Sequence, residues 1–152
     1  MAQTMVEFVN LKQTGAGPAR AAALLANWHF QRGQRVLILA AGPDEAQEMD
    51  RALWEFDPGS FLPHAVAGGE DEAAEPVLIA LEPTNRNQAQ VLIVARTCAT
   101  LPLESYAKII RLVPAEEGPE LAECRAAFKD LRADSRVSLS HVTSLPGPEA
   151  AD

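Results

Sequence analysis

The order of apolar runs and helix-favouring stretches predicts an α/β fold with a mostly parallel central sheet. Three observations carry this. Arg35-Val-Leu-Ile-Leu-Ala-Ala41, Val77-Leu-Ile-Ala80 and Val91-Leu-Ile-Val-Ala95 are short and almost unbroken by polar residues, as strands buried on both faces require. Between and around them lie Ala/Leu-rich or amphipathic segments of helical length. Proline or glycine stands at most of the joins. In chain order, Met5–Asn10 is β-branched and loosely alternating, suiting a first strand. A turn-rich loop, Gln13–Pro18, leads to a helix from Ala19, with Pro18 in its first turn and Gly33 as its stop. Asp44 is expected to cap a second helix, Glu45 to about Trp54. Leu103–Tyr106 reads as a short helix or turn, Lys108–Val113 as the last strand, and Pro119 to about Ala133 as the final helix. Five strands and three helices in alternation give a three-layer Rossmann-like sandwich without a nucleotide site. Residues 1–142 form one α/β domain, and 143–152 a flexible, proline-bearing tail.

Length and composition narrow the function classes. A chain of 152 residues with 47% hydrophobic content fills one core without disulfide or metal support. Its net charge of −8 opposes binding of phosphate backbones over the whole surface, so DNA contact is expected only indirectly. Cys98 and Cys124 lack CxxC spacing and read as small buried hydrophobes of a reducing compartment. With no signal-like start and no apolar run of about 18 residues, a soluble cytoplasmic protein is expected.

Motifs for catalysis are sparse. Gly15-Ala16-Gly17 supplies two glycines of a dinucleotide fingerprint, but Arg20 stands where the third belongs. The second strand runs out in Leu39-Ala-Ala-Gly42, without an acid for a ribose. This loop keeps a nucleotide-binding enzyme as the alternative reading. No GxxxxGK[ST] or GxSxG occurs, and His29, His64 and His141 lack metal-ligand spacing. Glu70-Asp71-Glu72 and Glu116-Glu117 read as solvated loop charge. The expectation is a protein without an active site or cofactor of its own.

Two surfaces suggest binding instead. Trp54, Phe56 and Phe61, three of eight aromatic residues, straddle Pro58-Gly59, with Pro63 and His64 following. They are either anchors for a protein partner or a local apolar cluster sealing the sheet edge. On the final helix, Leu121, Cys124, Phe128 and Leu131 make a core-facing stripe, with Arg125, Lys129 and Arg132 one position further round. A cationic ridge beside an apolar seam suits a peptide carboxylate with an apolar end. The same spacing also suits a solvated basic face paired with Glu123 and Asp130.

The order of several motifs resembles the chi subunit family of bacterial DNA polymerase III. These are Gly33-Gln-Arg-Val-Leu-Ile38, then Asp50-Arg-Ala-Leu-Trp54, then Ser60-Phe-Leu-Pro-His64-Ala65 with Ala67-Gly68 beyond. Pro76-Val-Leu-Ile79, Val91-Leu-Ile93 and Leu112-Val-Pro114 continue the likeness, which spans about residues 5–142. The resemblance implies a non-catalytic replication adaptor. It would bind the acidic C-terminal tail of single-stranded DNA-binding protein and, in some bacteria, the small psi subunit. By the same resemblance Val113, Arg125, Phe128, Lys129 and Arg132 would form the tail site. Trp54, Phe61 and Pro63 would face psi, a helicase or another partner. Phe128 replaces a tyrosine common in the family, and Glu116–Glu120 brings acid close to the tail site.

Overall fold

The computed structural model describes residues 3–57, 62–70, 72–95 and 101–146. Strand β1 (Thr4–Asn10) runs into a single helical turn, α1 (Leu11–Thr14), and then helix α2 (Pro18–Phe30). Strand β2 (Val36–Leu39), helix α3 (Pro43–Glu55) and the short strand β3 (Ala65–Val66) follow. Next come β4 (Val77–Ala80), β5 (Val91–Val94), β6 (Lys108–Val113), α4 (Pro119–Arg132) and β7 (Val137–Val142). The strands form one sheet in the order β3-β4-β2-β5-β6-β1-β7, every neighbouring pair parallel.

The helices divide between the two faces. Helices α2 and α3 pack Ala22, Leu25, Met49 and Leu53 onto a core with Val9, Ile38, Ile79 and Ile93. Helix α4 covers the other face, where Cys124, Phe128 and Leu131 meet Phe8 and Ile109. All four residues of β2, β4 and β5 are buried, as their uniform apolarity demands. The α/β sandwich with its parallel sheet is therefore as the sequence predicts.

Three expectations need correction. There are seven strands among the described residues, and β7, not the Lys108–Val113 strand, comes last. Val137-Ser-Leu-Ser-His-Val142 is an edge strand whose apolar residues alternate with polar ones, so a search for continuous apolar runs passes over it. Strand β3, at two residues, is too short to show any period. Asp44 does not cap α3: Gly42 is the N-cap, and the Glu45 carboxylate accepts from the Ala41 amide at 2.9 Å. Helix α2 ends at Phe30, with Gln31 as its cap, before Gly33 turns the chain at φ +78°. Beyond residue 142, Leu145 packs partly against the α2-side core. Cys98 and Phe61 lie outside the described residues. Among the described residues no helix is long and apolar enough to cross a membrane.

Candidate functional site

Neighbouring strands β6 and β1 send their outgoing connections to opposite faces of the sheet, α4 on one and α1–α2 on the other. Such divergence at the carboxyl ends of parallel strands opens a crevice. Here it holds a cavity of about 420 Å³. The register supplies its floor: Phe8 pairs with Arg111 and His141 across the sheet, and Asn10 with Val113 one pleat further on. Phe8, Val113 and His141 line the cavity from the sheet, and Leu121, Cys124, Arg125 and Phe128 from α4. Phe8 and Phe128 meet edge to face, with centroids 5.2 Å apart at 86°.

Gly118 fixes where α4 begins. It holds φ +157° with extended ψ, a conformation closed to residues bearing a Cβ. Pro119 then opens the helix beside Glu117. The Arg125 guanidinium faces both Glu117 carboxylate oxygens, at 3.4 and 3.5 Å, and both side chains are largely exposed. Burial pushes the Cys124 thiol, which lines the cavity, above its ordinary pKa, against the opposing effect of the Arg111 cation.

Of the residues expected at this site, Val113, Arg125 and Phe128 come together around the cavity. Lys129 and Arg132 lie exposed further along α4, outside its walls. Glu123, a possible partner for the ridge, instead binds Arg111 at 3.0 Å. Among the described residues neither Glu123 nor Asp130 pairs with Arg125, Lys129 or Arg132. Sequence reasoning missed Lys12 and His141 on the cavity wall. The alternation of Val137, Leu139 and His141 along β7 was the signal that would have placed the histidine there.

The aromatic surface sits towards the other end of the sheet, where α3 packs beside β3 and β4. Trp54 is 58% exposed and Pro63 half-buried; Phe61 lies outside the described residues. Asp50 and Trp54, one turn apart on α3, both reach His64. Its ring lies edge-on to Trp54 at 4.8 Å, and its Nε2 is 3.1 Å from Asp50 Oδ1. That approach is at ion-pair distance but off the hydrogen-bond line, while Nδ1 lies 2.8 Å from the Leu62 carbonyl. The tryptophan is therefore held from one side by a buried histidine and presented to solvent on the other. Phe56 turns inward and is buried, so the cluster is in part a local core.

Gly15 closes α1 at φ +75° and Gly17 is the N-cap of α2. A helical turn thus separates β1 from these glycines, which serve helix ends and not the strand-to-helix turn of a dinucleotide site. Among the described residues no three His, Cys, Asp or Glu side chains gather to hold a metal ion.

The sequence model of the family described as DNA polymerase III chi subunit, HolC, matches residues 3–136. DNA polymerase III subunit chi of Haemophilus influenzae is 29% identical over 104 residues, covering 68% of this chain and 72% of the relative. Its counterpart in Escherichia coli K12 is 32% identical over 90 residues, 58% of this chain and 60% of the relative. That of Pseudomonas aeruginosa is 28% identical over 95 residues, 62% and 66% respectively. With the family match spanning the whole of β1 to α4, the chain belongs to the DNA polymerase III chi subunit family.

Proposed function

We propose that this chi-family chain, a replication accessory subunit, binds the acidic C-terminal tail of single-stranded DNA-binding protein in the cavity between β6, β1, β7 and α4. The observation that carries the reading is an apolar cavity with a guanidinium at its wall. Phe8, Val113 and Phe128 offer a slot for an apolar terminal side chain, and Arg125 a planar fork for the terminal carboxylate. Lys129 and Arg132, exposed further along α4, attract the acidic residues upstream. Binding of this kind has a Kd on the order of micromolar and weakens with salt, because exposed charges are screened.

The Trp54–Pro63 face serves a second protein partner: psi, a helicase or another replication protein. Across the intervening strands, at about 4.8 Å each, the two faces lie roughly 20–30 Å apart. One chain can then hold two partners at once, which is what an adaptor requires. Isothermal titration with the tail peptide, with and without its last residue, tests the reading. Loss of most of the affinity on deleting that residue supports the slot, and equal affinity of the two peptides rejects it.

A further inference from the structure

We propose that Lys12 is a specificity-determining residue of this cavity, pairing from the β1 side with a carboxylate of the bound peptide upstream of its terminus. The inference rests on the reading above, that the cavity takes an acidic peptide end.

Lys12 lies outside the α4 ridge, in the turn that leaves β1, yet it lines the same cavity as Arg125. Its position is fixed at both ends of α1. The Gln13 amide donates to Asn10 Oδ1 at 3.2 Å, and the Gly15 amide to the Leu11 carbonyl at 3.0 Å. The charged groups of the wall are Lys12, Glu117 and Arg125, with His141 beside them. Glu117 faces Arg125 and offsets its charge. Lys12 is exposed and, among the described residues, has no acidic partner, so it supplies the net positive charge of the cavity. On a chain of net charge −8, that local cation decides whether an anionic peptide is attracted at close range.

The chemistry of the two cations divides their roles. A guanidinium matches the planar terminal carboxylate, whereas an ammonium on a flexible stem acts as a movable point charge. With the terminal side chain in the Phe8–Val113–Phe128 slot, upstream aspartates or glutamates emerge at the mouth, within the sweep of the Lys12 stem.

Peptide titration at fixed low salt tests this with two peptides: the acidic tail, and the same peptide with its upstream aspartates changed to asparagine. Lys12→Gln is expected to weaken the acidic peptide roughly 3- to 5-fold and to leave the neutralised one unchanged. Arg125→Ala is expected to weaken both. An equal loss for both peptides in Lys12→Gln, or no loss for either, overturns the assignment while wild-type binding leaves the cavity reading standing. Failure of the wild-type chain to bind either peptide removes the cavity reading and this inference with it.

Discussion

Arg111 offers the sharpest test of how α4 is held over the sheet. Its side chain is 1% exposed on a central strand, in the row of Val94, Phe8 and His141 that runs beneath α4. Nη2 bonds Glu123 on α4 at 3.0 Å, while the buried Nε has no hydrogen-bond partner. Glu123→Ala would strand a charge inside the protein. Removing one member of a fully buried pair costs about 3–5 kcal/mol. Glu123 is 44% exposed, so water reaches its end of the pair, and about 2 kcal/mol is expected here. In a domain of this size that lowers Tm by about 4–8 °C. Arg111→Met leaves Glu123 solvated and gives back the desolvation penalty, so the double variant Arg111→Met/Glu123→Ala should recover most of the loss. Urea denaturation of the two single variants and the double variant completes the cycle. A Glu123→Ala cost under about 0.5 kcal/mol, or a double variant no more stable than Glu123→Ala, would mean that the Arg111–Glu123 pair does not hold α4 to the sheet.

Further predictions concern the rest of the molecule. Burial holds the pKa of His29 below its ordinary 6.5, against a hydrogen bond with Gln34 that raises it. The unfolded chain therefore binds the proton first, so this contribution is complete above pH 6.5 and is lost as pH falls towards the folded value. Wild type should lose stability relative to His29→Gln between pH 7 and 5, by at most about 1.4 kcal/mol per pH unit; parallel stability–pH curves would contradict this. Asn87, fully buried, donates to the carbonyls of Val36 and Glu75 at 3.1 and 2.9 Å. Asn87→Ala should cost about 2–3 kcal/mol in denaturant, and a cost near zero would mean water replaces the amide. Trp54→Ala, at the exposed α3 face, should change stability by no more than about 1 kcal/mol and leave tail-peptide affinity unaltered. A drop in that affinity would show the two faces to be coupled.

The fold was legible wherever burial on both faces makes a strand uniformly apolar. Strands β2, β4 and β5 announce themselves in this way, and Pro18 and Pro119 mark helix starts that the structure keeps. Strand β7 escaped a reading tuned to uniformly apolar runs, because an edge strand half open to water carries serines at alternate positions; its alternation was the signal left unused. Of the candidate site, the two stripes of α4 were legible, because the spacing of Leu121, Cys124, Phe128 and Arg125 sets one beside the other. What no spacing shows is partnership. Glu123 lies among the cations of its own helix, yet turns inward to Arg111, a residue the apolar run of β6 gives no reason to pair with it. Lys12 and His141 reach the cavity from segments far apart in the chain, through the β1–β7 pairing, a contact local pattern does not encode.

The cavity between β6, β1, β7 and α4 is proposed to grip an acidic peptide terminus. Amide chemical-shift mapping on the isotope-labelled chain, titrated with the tail peptide of single-stranded DNA-binding protein, tests it most directly. Saturable shifts centred on Asn10, Lys12, Val113, Arg125, Phe128 and His141 are expected, with Trp54 and its neighbours on α3 unmoved. Shifts centred on α3, or none at saturating peptide, would contradict it.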